Sequence, residues 1–148
     1  MRSTRVWMVG DWKMTQPVIH KNIPPTPEMQ EEMSNVEASF SHYWRLLSPL
    51  DLPPLFYDCV QPVPNRKHRL DYACVPAGVG IECQGGVHGT KKRGHTRPAK
   101  YLEDCWKLAY CLAAGWLVFW VTEEMLKNEP ERFVRLVAGV IRDRLNPV

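Results

Sequence analysis

Apolar residues recur at Met29, Met33, Val36, Phe40, Trp44 and Leu47, at intervals of three and four that lay one stripe along a helix. Thr26 can cap its start, with Pro27 and Glu28 in the first turn, so one continuous helix is expected from there. Pro49, Pro53 and Pro54 stop it and stretch the chain toward the next element. Phe56 to Val63 reads as a strand, placed at a sheet edge because Pro62 and Pro64 cannot donate to a ladder. Arg69 to Val75 and Val79 to Gln84 form a hairpin turning at Ala77-Gly78.

Gly85-Gly86 through His95 reads as a loop. Thr96 then caps a second long helix, with Pro98 in its first turn, a stripe at Tyr101, Cys105, Leu108 and Leu112, and Gly115 as its stop. Trp116 to Val121 is apolar on both faces, which predicts a strand covered on both sides in the sheet centre. From Glu131 onward, Phe133, Leu136, Val137, Val140, Ile141 and Leu145 mark one side of a last helix. The order is helix, three strands, helix, strand, helix, without internal repeat. Residues 1–25 show no sustained period and end in Pro24-Pro25, so they read as an arm that packs through Trp7 and Trp12 or stays mobile.

A chain of 148 residues suits one core, so residues 26–148 are expected to form a single domain. The net charge of +3 matters less than its distribution. Glu28, Glu31, Glu32 and Glu37 gather early, whereas Lys91, Lys92, Arg93, Arg97 and Lys100 crowd one later stretch that suits a polyanion. The five cysteines form an odd set without C-x-x-C spacing, which fits a reduced, cytoplasmic protein. No apolar run is long enough to span a bilayer, and the N-terminus lacks a hydrophobic signal region.

Against this background two carboxylates stand out. Asp71 and Glu82 sit among Leu, Tyr, Val, Ile and Cys in the hairpin, where an unpaired charge is costly to desolvate. A two-residue loop would pair Asp71 with Gln84 and Ala73 with Glu82, placing Asp71, Glu82 and Gln84 on one face. Glu37, between Met33 and Phe40 on the first helix stripe, can join them. Two or three carboxylates with a carbonyl and waters are the ligands that Mg²⁺ takes when a phosphate supplies the rest. Plainer readings stand beside this one: Asp71 paired with Arg69 or another cation at a strand end, Glu37 as a border residue or in a helix salt bridge, Gln84 as an ordinary strand residue, and the Lys91–Lys100 cluster as a solvated loop. His88 and His95 with Cys83 or Cys105 match no compact zinc spacing. Cys105, Cys111, Trp116 and Trp120 read as packing residues.

Arg69-x-Asp71, Glu82-Cys-Gln-Gly-Gly86, Gly94-His-Thr-Arg97, Tyr101-x-x-Asp104-Cys-x-Lys107 and Gly115-Trp-x-Val, in this order, resemble the PD-(D/E)xK nuclease superfamily. The likeness is to small phage-type nucleases near the VRR-NUC and Holliday-junction-resolvase-like branches, and covers roughly residues 28–145. It implies an α/β, restriction-endonuclease-like αβββαβ core: a mixed four-stranded sheet flanked by helices, plus a C-terminal helix. It also implies that Asp71, Glu82 and the carbonyl of Cys83 ligate Mg²⁺ or Mn²⁺, with Glu37 as the acidic residue of the first helix. Gln84 stands where the familiar motif has lysine, a role that Lys107 or Lys100 can take instead.

His95 and Arg97 stand at the mouth of the second helix, whose amides attract anions. With Lys91, Lys92, Arg93, Lys100 and Lys107 they are expected to grip DNA phosphates without reading sequence. The function expected is a divalent-metal endodeoxyribonuclease, structure-selective or nicking, in recombination, repair or genome processing, in a bacterial or phage-infected cell. A resolvase would need a symmetric homodimer to cut both strands. The rival reading is a nuclease-fold DNA-binding or protein-interaction module that has lost turnover.

Overall fold

The computed structural model describes residues 7–9, 12–21, 26–85 and 97–146. Strands β1 (Trp7–Val9) and β2 (Trp12–Met14) form a small antiparallel pair, and β3 (Val18–Ile19) follows. Helices α1 (Pro27–Glu32) and α2 (Asn35–Leu47) lead into β4 (Phe56–Gln61), β5 (Leu70–Cys74) and β6 (Val79–Gln84). Then come α3 (Arg97–Ala113), β7 (Leu117–Thr122), α4 (Glu123–Asn128) and α5 (Pro130–Leu145). The architecture is mixed α/β, with a sheet of five strands in the order β3-β4-β5-β6-β7. Among the described strands only β6 and β7 run parallel, joined through α3 as a crossover of that kind requires.

Several sequence expectations are corrected. The sheet has five strands rather than four because Val18 and Ile19, assigned to the arm, pair with Gln61 and Val60. Met14 is likewise buried in the core, so this part of the arm belongs to the fold. The neighbour thus added takes β4 off the edge, and β4 ends at Gln61, just before Pro62. Among the described strands β7 pairs only with β6 and stands at the edge, not the centre. A run apolar on both faces reports layers above and below a strand, which an edge strand between helices also has.

The first helix is two. Ser34 starts α2 afresh: its hydroxyl accepts the amide of Glu37 at 3.2 Å and touches the Glu37 carboxylate at 3.1 Å, the Ser-x-x-Glu spacing of a capping box. On α3, Tyr101 and Leu112 face outward, whereas Cys111 is buried and Asp104, Lys107 and Leu108 turn toward a cleft. On α5, Leu136 is exposed, and Val134 and Ala138 join Phe133, Val137 and Ile141 inside.

Two apolar layers sandwich the sheet. Val36, Phe40, Tyr72, Cys74, Val79, Ile81, Val121 and residues of α4 and α5 fill one. Met14, Cys59, Val60, Leu70, Ala73, Cys111, Ala114 and Trp116 fill the other, under α3. Arg144 donates to the carbonyls of Gly78 (2.9 Å) and Gly115 (3.1 Å), tying the last turn of α5 to the hairpin turn and to the entry of β7. No described helix is long and apolar enough to cross a membrane. All five cysteines are free thiols.

Candidate functional site

The β5–β6 register sets the chemistry. Observed pairs are Tyr72↔Ile81, Ala73↔Gly80 and Cys74↔Val79, two residues away from the expected pairing of Ala73 with Glu82. The connection is longer than the expected two residues, with Val75 to Gly78 lying between the last paired positions. Because the difference is even, the faces keep their assignment, and Glu82 rather than Gln84 comes level with Asp71.

Around Asp71 the strand is irregular on both sides. Pairing of β4 with β5 jumps from Tyr57↔Tyr72 to Val60↔Leu70, a bulge that holds Asp58 at φ 47°. Leu70 packs under α3 together with Ala73, whereas Tyr72 packs on the opposite side, so the alternation breaks in the bulged segment. Leu70 leans over Gly80, where a Cβ would stand 2.7 Å from its Cδ1. Asp71 consequently reaches toward the backbone of β6, its Oδ2 accepting the amide of Cys83 at 2.7 Å. Bulges re-aim side chains in this way next to functional sites.

Three carboxylates lie close together. The Asp71 carboxyl is pushed well above the usual range, first by burial, then by the charge of Glu82 and a hydrogen bond shared with it; the Cys83 amide works the other way, and Glu37 adds a further push. Glu82 Oε1 is buried without a hydrogen bond, although His68 Nε2 stands 2.6 Å from it. That contact has the distance of an ion pair but not the direction of a hydrogen bond. Glu37 Oε2 accepts from the Tyr57 hydroxyl at 2.8 Å, and its main-chain carbonyl accepts from Tyr72 at 3.1 Å, fixing the start of α2 against the sheet. Burial, reinforced by these carboxylates, also pushes the Cys83 thiol up, and burial with the Glu82 charge raises the Cys111 thiol to about 11. Both sulfurs are therefore poor nucleophiles near neutral pH.

Glu37, Glu82 and Cys83 open into a cleft of about 370 Å³ between the start of α2, the end of β6 and α3, and Asp71 lies beside it, outside its lining. Glu37, His68, Glu82 and Gln84 line one side; Lys100, Asp104 and Lys107 line the α3 side, with Trp120 beneath. Lys107 is 3.7 Å from both Glu103 and Asp104, long contacts that hold it loosely. Asp71 has no partner among Lys or Arg in the described residues; Arg69, the partner weighed from sequence, donates to the Asp58 carbonyl at 3.5 Å. Among the described residues, no three His, Cys, Asp or Glu side chains form a ready-made metal cage.

Of the residues proposed from sequence, Glu37, Asp71, Glu82, Cys83, Gln84, Lys100 and Lys107 gather at or beside this cleft. Lys91, Lys92, Arg93, His88 and His95 lie outside the described residues, and of Arg97 only its place at the start of α3 is described. The loop from Gly86 and the Thr96 cap lie outside as well. His68, Asp104 as a cleft residue, Tyr57 and Ser34 were missed. The Ser34-x-x-Glu37 spacing was a readable signal; His68 and Tyr57 depend on long-range pairing that no local pattern carries. Trp116 is a core residue as expected, whereas Trp120 reaches the cleft. No family model matches this chain, and no curated protein or solved structure matches it either.

Proposed function

We propose that this protein is a divalent-metal-dependent endodeoxyribonuclease of the PD-(D/E)xK kind, structure-selective or nicking, acting in recombination, repair or genome processing. The observation that carries the reading is the Asp71–Glu82 pair: two carboxyl groups converge beside an open cleft, one oxygen has no hydrogen bond, and no Lys or Arg among the described residues neutralises Asp71. His68, 2.6 Å from Glu82 Oε1, is charged only when protonated, so the pair lacks a permanent cation among the described residues, and its donors fit a hard one. Asp71 and Glu82 would hold Mg²⁺ or Mn²⁺, with the Cys83 carbonyl as a further donor. Two carboxylates without a third suit Mg²⁺, which keeps several waters and takes phosphate oxygens from its substrate. When bound, the ion supplies Lewis-acid polarisation of the phosphodiester and a water of lowered pKa.

The chain's own groups do the rest. Lys100 and Lys107 attract the phosphate from the α3 side of the cleft, opposite the carboxylates. Glu37, held by Tyr57 and Ser34, would accept a hydrogen bond from the attacking water. Gln84 orients such a water but brings no charge to the transition state.

The test is cleavage of supercoiled, linear and four-way-junction DNA with Mg²⁺ or Mn²⁺. Cutting is expected to need the metal and to be lost in both Asp71→Asn and Glu82→Gln; cutting that survives both substitutions sinks the proposal. A second reading, a DNA-binding module without turnover, is favoured by Gln84 in the lysine position and by the lack, among the described residues, of a group of three ligating side chains. It predicts metal-independent binding with no cutting.

A further inference from the structure

Helix α3 leaves much of its apolar surface uncovered. Tyr101, Leu102, Trp106, Tyr110 and Leu112 are exposed, Trp106 to 55%. Trp106 and Tyr110 lie one turn apart with ring centroids 6.1 Å from each other, and the Arg66 guanidinium covers the Tyr110 ring at 4.0 Å. They line a groove of about 410 Å³. A second groove, of about 450 Å³, runs beside it along Asn65, Arg66, Lys67, His68, Glu103 and Lys107.

The grooves join. The first shares Arg66 and Glu103 with the second, and the second shares His68 and Lys107 with the carboxylate cleft. A continuous track therefore leads from the carboxylates past Lys107 and Lys67 to the aromatic rings. Its cations are Arg66, Lys67 and Lys107; Glu103, and Asp104 where the track enters the cleft, each stand 3.7 Å from Lys107, which leaves Arg66 and Lys67 on the outer stretch without an acidic contact among the described residues. Flat aromatic surfaces beside a line of cations match a strand that offers both bases and phosphates. A duplex hides its base faces in the stack, whereas an unpaired strand exposes them. An apolar protein surface would not need the cations.

We propose that Trp106, Tyr110 and the Arg66 guanidinium stack the unpaired bases of single-stranded DNA, whose backbone follows Lys67 and Lys107 into the cleft. This rests on the nuclease reading and gives it a substrate class: DNA with a single-stranded segment beside the scissile phosphate.

The experiment is fluorescence anisotropy with a labelled oligothymidylate and with a duplex of equal length, in EDTA so that nothing is cut. The wild type is expected to prefer the single strand. Trp106→Ala is expected to weaken that binding by at least about tenfold while Trp106→Phe keeps most of it, as stacking requires. Lys67→Gln is expected to flatten the salt dependence. Thermal melts check that each variant folds, and Lys67→Gln probes the track without touching the apolar face. Equal affinity for duplex and single strand, or no change in Trp106→Ala, overturns the proposal. So does a wild-type dimer that Trp106→Ala turns into a monomer in sedimentation, which would assign the face to a second copy. Metal-dependent cutting retained alongside unchanged Trp106→Ala binding strikes the track alone. Stacking-dependent binding without any cutting strikes the nuclease reading instead.

Discussion

Asp71→Asn puts the charge balance of the site to a direct measurement. Asparagine keeps the size of the side chain and an oxygen for the Cys83 amide, but cannot ionise. In the folded protein the Asp71 carboxyl is raised from 3.8 to about 8, burial leading and Glu82 second. Because the folded value exceeds the unfolded one, the native state keeps a proton that the unfolded chain has released over the interval from about pH 4 to 8. Stability from this group is therefore fully present below about pH 4 and is lost as pH rises through about 8. At about 1.4 kcal/mol per tenfold change in proton activity, the loss has an upper limit on the order of 6 kcal/mol. In a chain of this size that limit corresponds to roughly 12–24 °C in melting temperature. Wild type and Asp71→Asn should melt together near pH 4, and the variant should melt higher near pH 8, in calorimetry with EDTA present. Mg²⁺ or Mn²⁺ at about a hundred times its Kd should then restore roughly 2.7 kcal/mol to the wild type and none to the variant. A difference that is flat with pH would mean that the fold does not penalise the carboxylate, and one that grows toward acid that the fold stabilises it; either would refute the reasoning.

Gly80→Ala should cost about 1–3 kcal/mol in urea denaturation, because the added methyl meets fully buried Leu70; an unchanged midpoint would show that Leu70 has room to move. Gln84→Lys should raise metal-dependent DNA cleavage by at least about tenfold by adding a cation beside the carboxylate pair, read as initial nicking rate; a slower rate would mean that the glutamine is the better partner in this site.

The Asp71–Glu82 pair was legible because strand parity survives an error of two residues, so the same side chains met despite the wrong register. The break around Asp71 was not legible. It arises from the bulge at Asp58 and from Leu70 crossing over Gly80, contacts between segments far apart in sequence. The α3 stripe misled for a related reason. Tyr101 and Leu112 have the apolarity of core residues, but the face that the sheet covers runs through Cys111, with Asp104 and Lys107 turned to the cleft. Apolarity alone does not say which side of a helix meets its partner.

Local order is written in the chain itself: periodicity marks the helices, prolines end β4 and the long helix, and Ser34 with Glu37 carries a start signal that a closer reading of spacing finds. Those features depend on residues a few positions apart, where sterics and capping act directly. The place of β7 at the edge, the enlistment of Val18 and Ile19 as a fifth strand, and the approach of His68 to Glu82 were decided only by the tertiary fold. Each is a choice of neighbour among distant segments, and it is settled by which arrangement buries the most apolar surface while satisfying the backbone, a sum over the whole chain.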